Sequence, residues 1–406
     1  MTLQIFNTLT LRKEAFHAKR RAVKIFLCGP TVYDHCHLGH ARMFVAFDII
    51  ARYLRYRGCE TIVVMNVTDI SKEIFMNAER NGQDPAEYST RYFRSLLEDL
   101  KALGINTIDV FVRASHHVPM MIGWIEKLLE KGAAYVADEG VFLDTSRVRG
   151  YGSLSHQSRG EIALRRLDLS PTKRNPEDFL LWSNVQTERD AWDSPWGRGR
   201  PGQHIEDAAA CAEYLDASYD INGGGDELVF PHHEATKAQV EAVTGTTMCR
   251  YWVHTGLLRI RKRKMSKSLG NFITIRDALA RYDAQAIRFY FSLTHYRKPL
   301  DFRNSDLERA FRTSRSIRSS VDRMKRATAL LQGDETDANL DRMVSRFETK
   351  FTRAMDNDFD TEKAVKELVN FAHHLVREFR LKRNIPRSFS VALESLTRLS
   401  DILGIW

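Results

Sequence analysis

The chain has 406 residues, 43% hydrophobic and 28% charged, with 61 lysines and arginines against 52 acidic residues and a net charge of +9. That length exceeds one compact core and suits two or three domains. No apolar run approaches the roughly 18–20 residues of a membrane-spanning helix, no signal-peptide core follows the N-terminus, and five scattered cysteines without a C-x-x-C pair argue against a secreted disulfide framework. The expectation is a cytoplasmic globular protein without a membrane partner, whose modest basic excess favours anionic ligands.

In chain order, the apolar run 23–29 ending in glycine predicts a buried strand. Residues 40–57 carry Phe44, Phe47, Ile50, Ala51 and Leu54 at helical spacing, and 61–69 predicts a second buried strand. This β-α-β unit implies a doubly wound parallel sheet whose ligands sit beyond the carboxyl ends of its strands, which makes the loop 28–40 the expected site. Helices follow over 71–80 and 86–103, then a short strand, a helix over 117–131 and a hairpin over 134–143. From about 146 to 200 the composition shifts to Arg, Ser, Gly and Pro, read as an irregular insertion folding over a site. The core resumes with a helix after Gly202, a strand at 218–221, a tight turn at Gly223–Gly225, a helix from His232 and a strand over 251–260. Four amphipathic helices over 304–331, 339–355, 361–382 and 389–404 predict a helical bundle.

Two segments carry chemistry. His37-Leu-Gly-His40 stands between a strand and a helix, where backbone N–H groups and two imidazoles face the expected position of a phosphate chain. Two histidines three apart also suit metal ligation or a satisfied helix start. The second segment, 259–267, packs six cations into nine residues and contains Lys264-Met-Ser-Lys-Ser268. Alone it reads as a solvated basic face. At the carboxyl edges of two strands of one sheet, the two segments can clamp a triphosphate and stabilise charge on leaving pyrophosphate.

These signatures are those of class I aminoacyl-tRNA synthetases, and the chain resembles the cysteinyl-tRNA synthetase family from about residue 3 to its last helix. The resemblance rests on 26–34 (FLCGPTVYD), 36–40 (CHLGH), 66–70 (NVTDI), 173–176 (KRNP), 194–197 (SPWG), 199–202 (GRPG), 223–225 (GGG), 230–234 (FPHHE) and 264–271 (KMSKSLGN). It implies an α/β fold: a Rossmann-like class I adenylation domain over 1–302 with an inserted connective region at about 112–200, then an all-α bundle over 303–406. The implied reaction joins an amino-acid carboxylate to the α-phosphate of ATP, used with Mg, giving an adenylate and pyrophosphate. His37 and His40 would stabilise the α/β-phosphates, and Lys264 and Lys267 the leaving group. Gly39, Gly224, Ser266 and Ser268 would bind ATP; Asp226-Glu227 stands where the family carries Ser-Asp, so Glu227 would hold the ribose.

The amino-acid pocket implied by the resemblance comprises Cys28, Thr31, Gln203, Asp207, His232 and Thr236. The family holds zinc with two Cys, one His and one Glu. Cys28 and His232 match, whereas Asp207 replaces the second Cys and Thr236 the Glu, leaving at best the three ligands Cys28, Asp207 and His232, with His204, His233 and Cys211 nearby in sequence. A threonine hydroxyl is a poor zinc donor, so tight zinc is not expected, nor is cysteine as the substrate. The chain stops where the family's anticodon-reading domain would begin. The main expectation is therefore a ligase passing a non-cysteine amino acid to a small amine, carrier or metabolite without tRNA. The alternatives are a truncated synthetase charging tRNA through its acceptor stem, without anticodon reading, and a non-catalytic RNA-binding or regulatory paralogue.

Overall fold

The structure, a computed structural model, describes residues 2–18, 21–165, 170–184, 191–216, 218–265, 272–330, 333–381 and 386–406, with the backbone alone at Lys264 and Pro386. Its centre is a five-stranded parallel sheet in the order Cys249–Thr255, Tyr219–Gly225, Ala22–Leu27, Glu60–Val67, Val110–Arg113. The chain starts in the middle strand, winds outward to one edge, then returns to build the other. The order therefore reverses between Ala22–Leu27 and Tyr219–Gly225, which opens a crevice at their carboxyl ends.

Alternation along the middle strand divides the core. Val23, Ile25 and Leu27 face the helix Leu38–Tyr56 and the C-terminal bundle, whereas Phe26 faces the helices Val118–Glu130, Ile205–Leu215 and Glu234–Thr244. The bundle consists of Asn304–Thr328, Ala338–Met355, Thr361–Leu381 and Pro386–Leu403. This is the expected α/β class I architecture.

Three local expectations need correction. Gly223, Gly224 and Gly225 form the end of a strand, not a turn. Their missing side chains serve close approach: a Cβ on Gly223 would lie 2.1 Å from the Phe47 ring, and one on Gly224 would lie 2.7 Å from the His233 ring. The stretch 179–184 is a buried strand rather than irregular chain, because Phe179, Leu181 and Trp182 bury their side chains. It joins Ala134–Ala137, Gly140–Leu143 and Gly199–Pro201 in a four-stranded antiparallel sheet. Finally, 251–260 breaks at Gly256. Cys249–Thr255 stays in the core sheet, and Leu258–Ile260 pairs with Arg263–Lys264 and Leu300–Phe302 instead.

The bundle is fixed to the sheet through buried charge. Arg288 bonds the carboxylate of Asp48 at 2.5 Å and the carbonyl of Leu403 at 2.9 Å, and the Asp48 side chain is fully buried. Asp358 accepts from the Phe6 amide, the Tyr296 hydroxyl and Arg297, which joins the N-terminal hairpin, the bundle entry and a bundle turn. Asp48 also pairs with Arg52 Nε at 2.8 Å and accepts from the Thr107 hydroxyl, so losing Arg288 weakens a network rather than stranding the carboxylate. Arg288→Ala is expected to destabilise the protein by about 1.5–3 kcal/mol, read from its urea-unfolding midpoint and slope.

Candidate active site

The helix Leu38–Tyr56 begins on an unusual cap. Nδ1 of His37 accepts from the amides of Gly39 (3.0 Å) and His40 (3.2 Å), while Nδ1 of His40 accepts from the amide of His37 at 3.3 Å. This is a capping box built from two imidazoles, whose rings stack with centroids 3.8 Å apart. An accepting Nδ1 puts the ring proton on Nε2. Both rings are thereby fixed as Nε2–H donors beside the positive end of a 19-residue helix. Gly39 allows the stacking, since a Cβ there would come within 2.7 Å of the His37 ring.

The segment after the lysine-rich motif returns to this cap. The amide of Leu38 donates to Ile273 O at 3.0 Å, the amide of Ile275 donates to Cys36 O at 2.9 Å, and the Phe272 ring stands edge-on to His37. The two signature segments thus meet through main-chain bonds. Between them and the sheet edge lies a cavity of about 430 Å³ lined by His37, Gly39, His40, Gly225, Glu227, Thr255 and Phe272 among others. Asp226 and Glu227 are exposed in a short 3-10 turn directly after the strand. Lys264 closes the hairpin that leads onward; Ser266, Lys267 and Ser268 lie outside the described residues.

The amino-acid residues divide. Cys28, Asp207 and His232 converge, each offering a ligand atom within 4.8 Å of the others. Cys28 follows the middle strand, Asp207 lies in the first turn of Ile205–Leu215, and His232 precedes Glu234–Thr244. His232 Nε2 sits 2.9 Å from Asp207 Oδ2, and its Nδ1 sits 2.9 Å from His204 Nδ1. Burial, followed by the Asp207 carboxylate, pushes the Cys28 thiol well above its ordinary range. The other carboxylate oxygen, Asp207 Oδ1, is buried without a hydrogen-bond partner.

Thr236 does not join the group, because its hydroxyl donates to His232 O at 3.0 Å. Gln203 is exposed and Thr31 pairs with Thr68 along the chain. Gly224 packs on His233, whose ring is held neutral by burial; it bonds His254, which burial pulls down to about 3. Cys211 bonds Tyr219 away from the group.

Sequence reasoning missed the buried Glu234, which accepts from the amides of Gly152 (2.9 Å) and Ser155 (2.7 Å) and so ties the inserted region to the turn carrying His232. It also missed Glu206, held by the Thr68 hydroxyl at 2.6 Å. Glu234 lies inside a recognised motif and Glu206 beside the candidate ligand Asp207, the one signal available, but their partners are distant in sequence.

A Rossmann-type crevice with a histidine-capped helix and a basic hairpin on its rim defines a class I aminoacyl-tRNA synthetase, a ligase that forms aminoacyl adenylates. The profile described as "tRNA synthetases class I (C) catalytic domain" matches residues 15–312, and the chain belongs to that family. It is 40% identical to the cysteine--tRNA ligase of Thermococcus onnurineus and 38% identical to that of Bacillus cereus, in each case over 100% of this chain and 87% or 88% of the relative. Among solved structures, methionyl-tRNA synthetase of Mycobacterium tuberculosis with methionyl-adenylate superposes with a TM-score of 0.71 at 13% identity, over 95% of this chain and 90% of that one. These relatives overturn the main expectation of a tRNA-independent ligase for a non-cysteine amino acid. Weight placed on two substituted zinc ligands and on the chain's end produced that reading, and whole-chain similarity to cysteine--tRNA ligases outweighs both.

The cap itself is testable. Losing a capping acceptor costs about 1 kcal/mol, whereas asparagine caps well. His37→Ala is expected to lower unfolding stability by about 1 kcal/mol and His37→Asn by only a few tenths, measured by chemical denaturation.

Proposed function

We propose that this chain activates cysteine as its adenylate and transfers the cysteinyl group to tRNA. One observation carries the reading: a Cys-Asp-His donor group gathered at the sheet edge that bears the histidine cap, in a chain 40% identical over its whole length to a cysteine--tRNA ligase. ATP, used with Mg, occupies the cavity lined by His37, His40 and Glu227. The Nε2–H groups of His37 and His40 donate to phosphate oxygens as the cysteine carboxylate attacks the α-phosphorus and the bond to pyrophosphate breaks. Lys264 and Lys267 take up the charge on the departing pyrophosphate. Glu227 accepts from the ribose hydroxyls. A tRNA terminal hydroxyl then attacks the acyl carbon and AMP leaves.

The donor group fits a zinc-type ion by its chemistry: one sulfur, one nitrogen and a buried carboxylate with an unsatisfied oxygen. Cys28, Asp207 and His232 would hold the ion with a position left open, which a substrate thiolate fills better than a hydroxyl or a methyl group. His204 would receive the remaining ring proton of His232 and set its orientation.

Pyrophosphate exchange with purified protein tests the first half. Cysteine is expected to stimulate exchange above serine and alanine, and Lys267→Ala to lower it by about 2–4 kcal/mol in transition-state terms. Exchange that prefers another amino acid overturns the substrate. Zinc competition with a chromophoric chelator tests the donor group. Because the Cys28 thiol is raised and must lose its proton to bind, zinc affinity is expected to rise about tenfold per pH unit above neutrality and to fall with decreasing pH. A pH-independent affinity would remove Cys28 from the ligand set.

A further inference from the structure

Arg42, flanked in the first helix by the cavity-lining His40 and Met43, is buried to 3% exposure and, among the described residues, pairs with no carboxylate. Its partners are backbone carbonyls alone. Nη1 donates to Gly256 O at 2.8 Å and Leu257 O at 3.2 Å; Nη2 donates to His295 O and Tyr296 O, both at 3.4 Å, and to Lys298 O. Nε is left without a partner. A buried guanidinium is costly unless its donors are used, so five contacts from one side chain to two loops need a reason. The loops supply it. Gly256 and Leu257 line the nucleotide cavity and open the hairpin leading to Lys264, whereas 295–298 enters the bundle.

We infer that Arg42 is a positioning residue for ATP, acting through the peptides of Gly256 and Leu257. Bare carbonyls on the wall of a triphosphate site repel it; here the guanidinium caps two of them and adds a positive charge behind the wall. The same contacts press 256–257 against 295–298, where Gly256 N donates to Tyr296 O at 2.9 Å and a Cβ on Gly256 would come within 2.5 Å of Arg297 O. Tyr296 and Arg297 in turn bond Asp358 in the bundle, and Lys298 bonds Glu362. Arg42 thus sets the ATP wall against the bundle entry. This rests on the placement of ATP in that cavity.

Steady-state pyrophosphate exchange with Arg42→Gln, Arg42→Lys and Gly256→Ala tests it, with each variant first checked for a native circular dichroism spectrum. The charge-assisted bonds at stake predict a rise of about tenfold or more in the KM for ATP with Arg42→Gln, against less than about twofold for the amino acid. Arg42→Lys is expected to lie between, since an ammonium keeps the charge and reaches fewer carbonyls. Gly256→Ala is expected to give the same ATP-selective defect with the arginine intact, so the inference stays testable if Arg42→Gln does not fold. Equal changes in both KM values, or none in a folded variant, overturn the role. His40→Ala separates the two readings: if it changes neither kcat nor the KM for ATP, the cavity itself has been misassigned, whereas a defect in either beside unaffected Arg42 and Gly256 variants refutes the positioning role alone.

Discussion

The nucleotide side of the site depends on two main-chain hydrogen bonds, from Leu38 to Ile273 and from Ile275 to Cys36. They join the start of the first helix to the segment that follows the lysine-rich motif, across most of the chain's length. Each partner is pre-set by its own local sequence. The helix start is fixed because two histidines satisfy one another's amides, and the returning segment is fixed because Thr274 and Asp277 form a second capping box immediately after the junction. Two capped helices therefore meet at their N-terminal ends beside the cavity.

Local pattern made the architecture legible. The middle strand, the first helix and all four bundle helices stand within a few residues of where their periodicity places them, because each buries one face of a regular element. What the pattern missed is non-local. Strand Phe179–Asn184 lies in a stretch whose Pro, Ser and Arg content resembles a loop, and pairing with Gly140–Leu143 and Gly199–Pro201 makes it a strand. The glycine triplet resembles a turn because turns use glycine often; here the constraint is the Phe47 ring on the neighbouring helix.

The candidate site followed the same division. His37, His40 and Glu227 were recognisable because two motifs place them after two neighbouring strands, and the structure does bring them to one cavity. Cys28, Asp207 and His232 were readable as a group through resemblance alone, since no spacing rule relates positions 28, 207 and 232. Gln203 illustrates the opposite failure: its place in a motif suggested a pocket wall, yet it sits exposed in the turn before its helix. Substrate identity was misjudged for a related reason. Counting ligands treats each substitution alone, whereas a carboxylate in place of a thiolate can still present a donor to the same point.

Glu234 gives the inserted sheet a particular mechanical standing. Its carboxylate receives two amides of the insertion at Gly152 and Ser155, while its own backbone continues the turn bearing His232 and opens the next helix. The insertion is thus tied to the segment that carries His232, one of the three converging donors. One carboxylate therefore sets the seat of the insertion and the position of the His232 ring together.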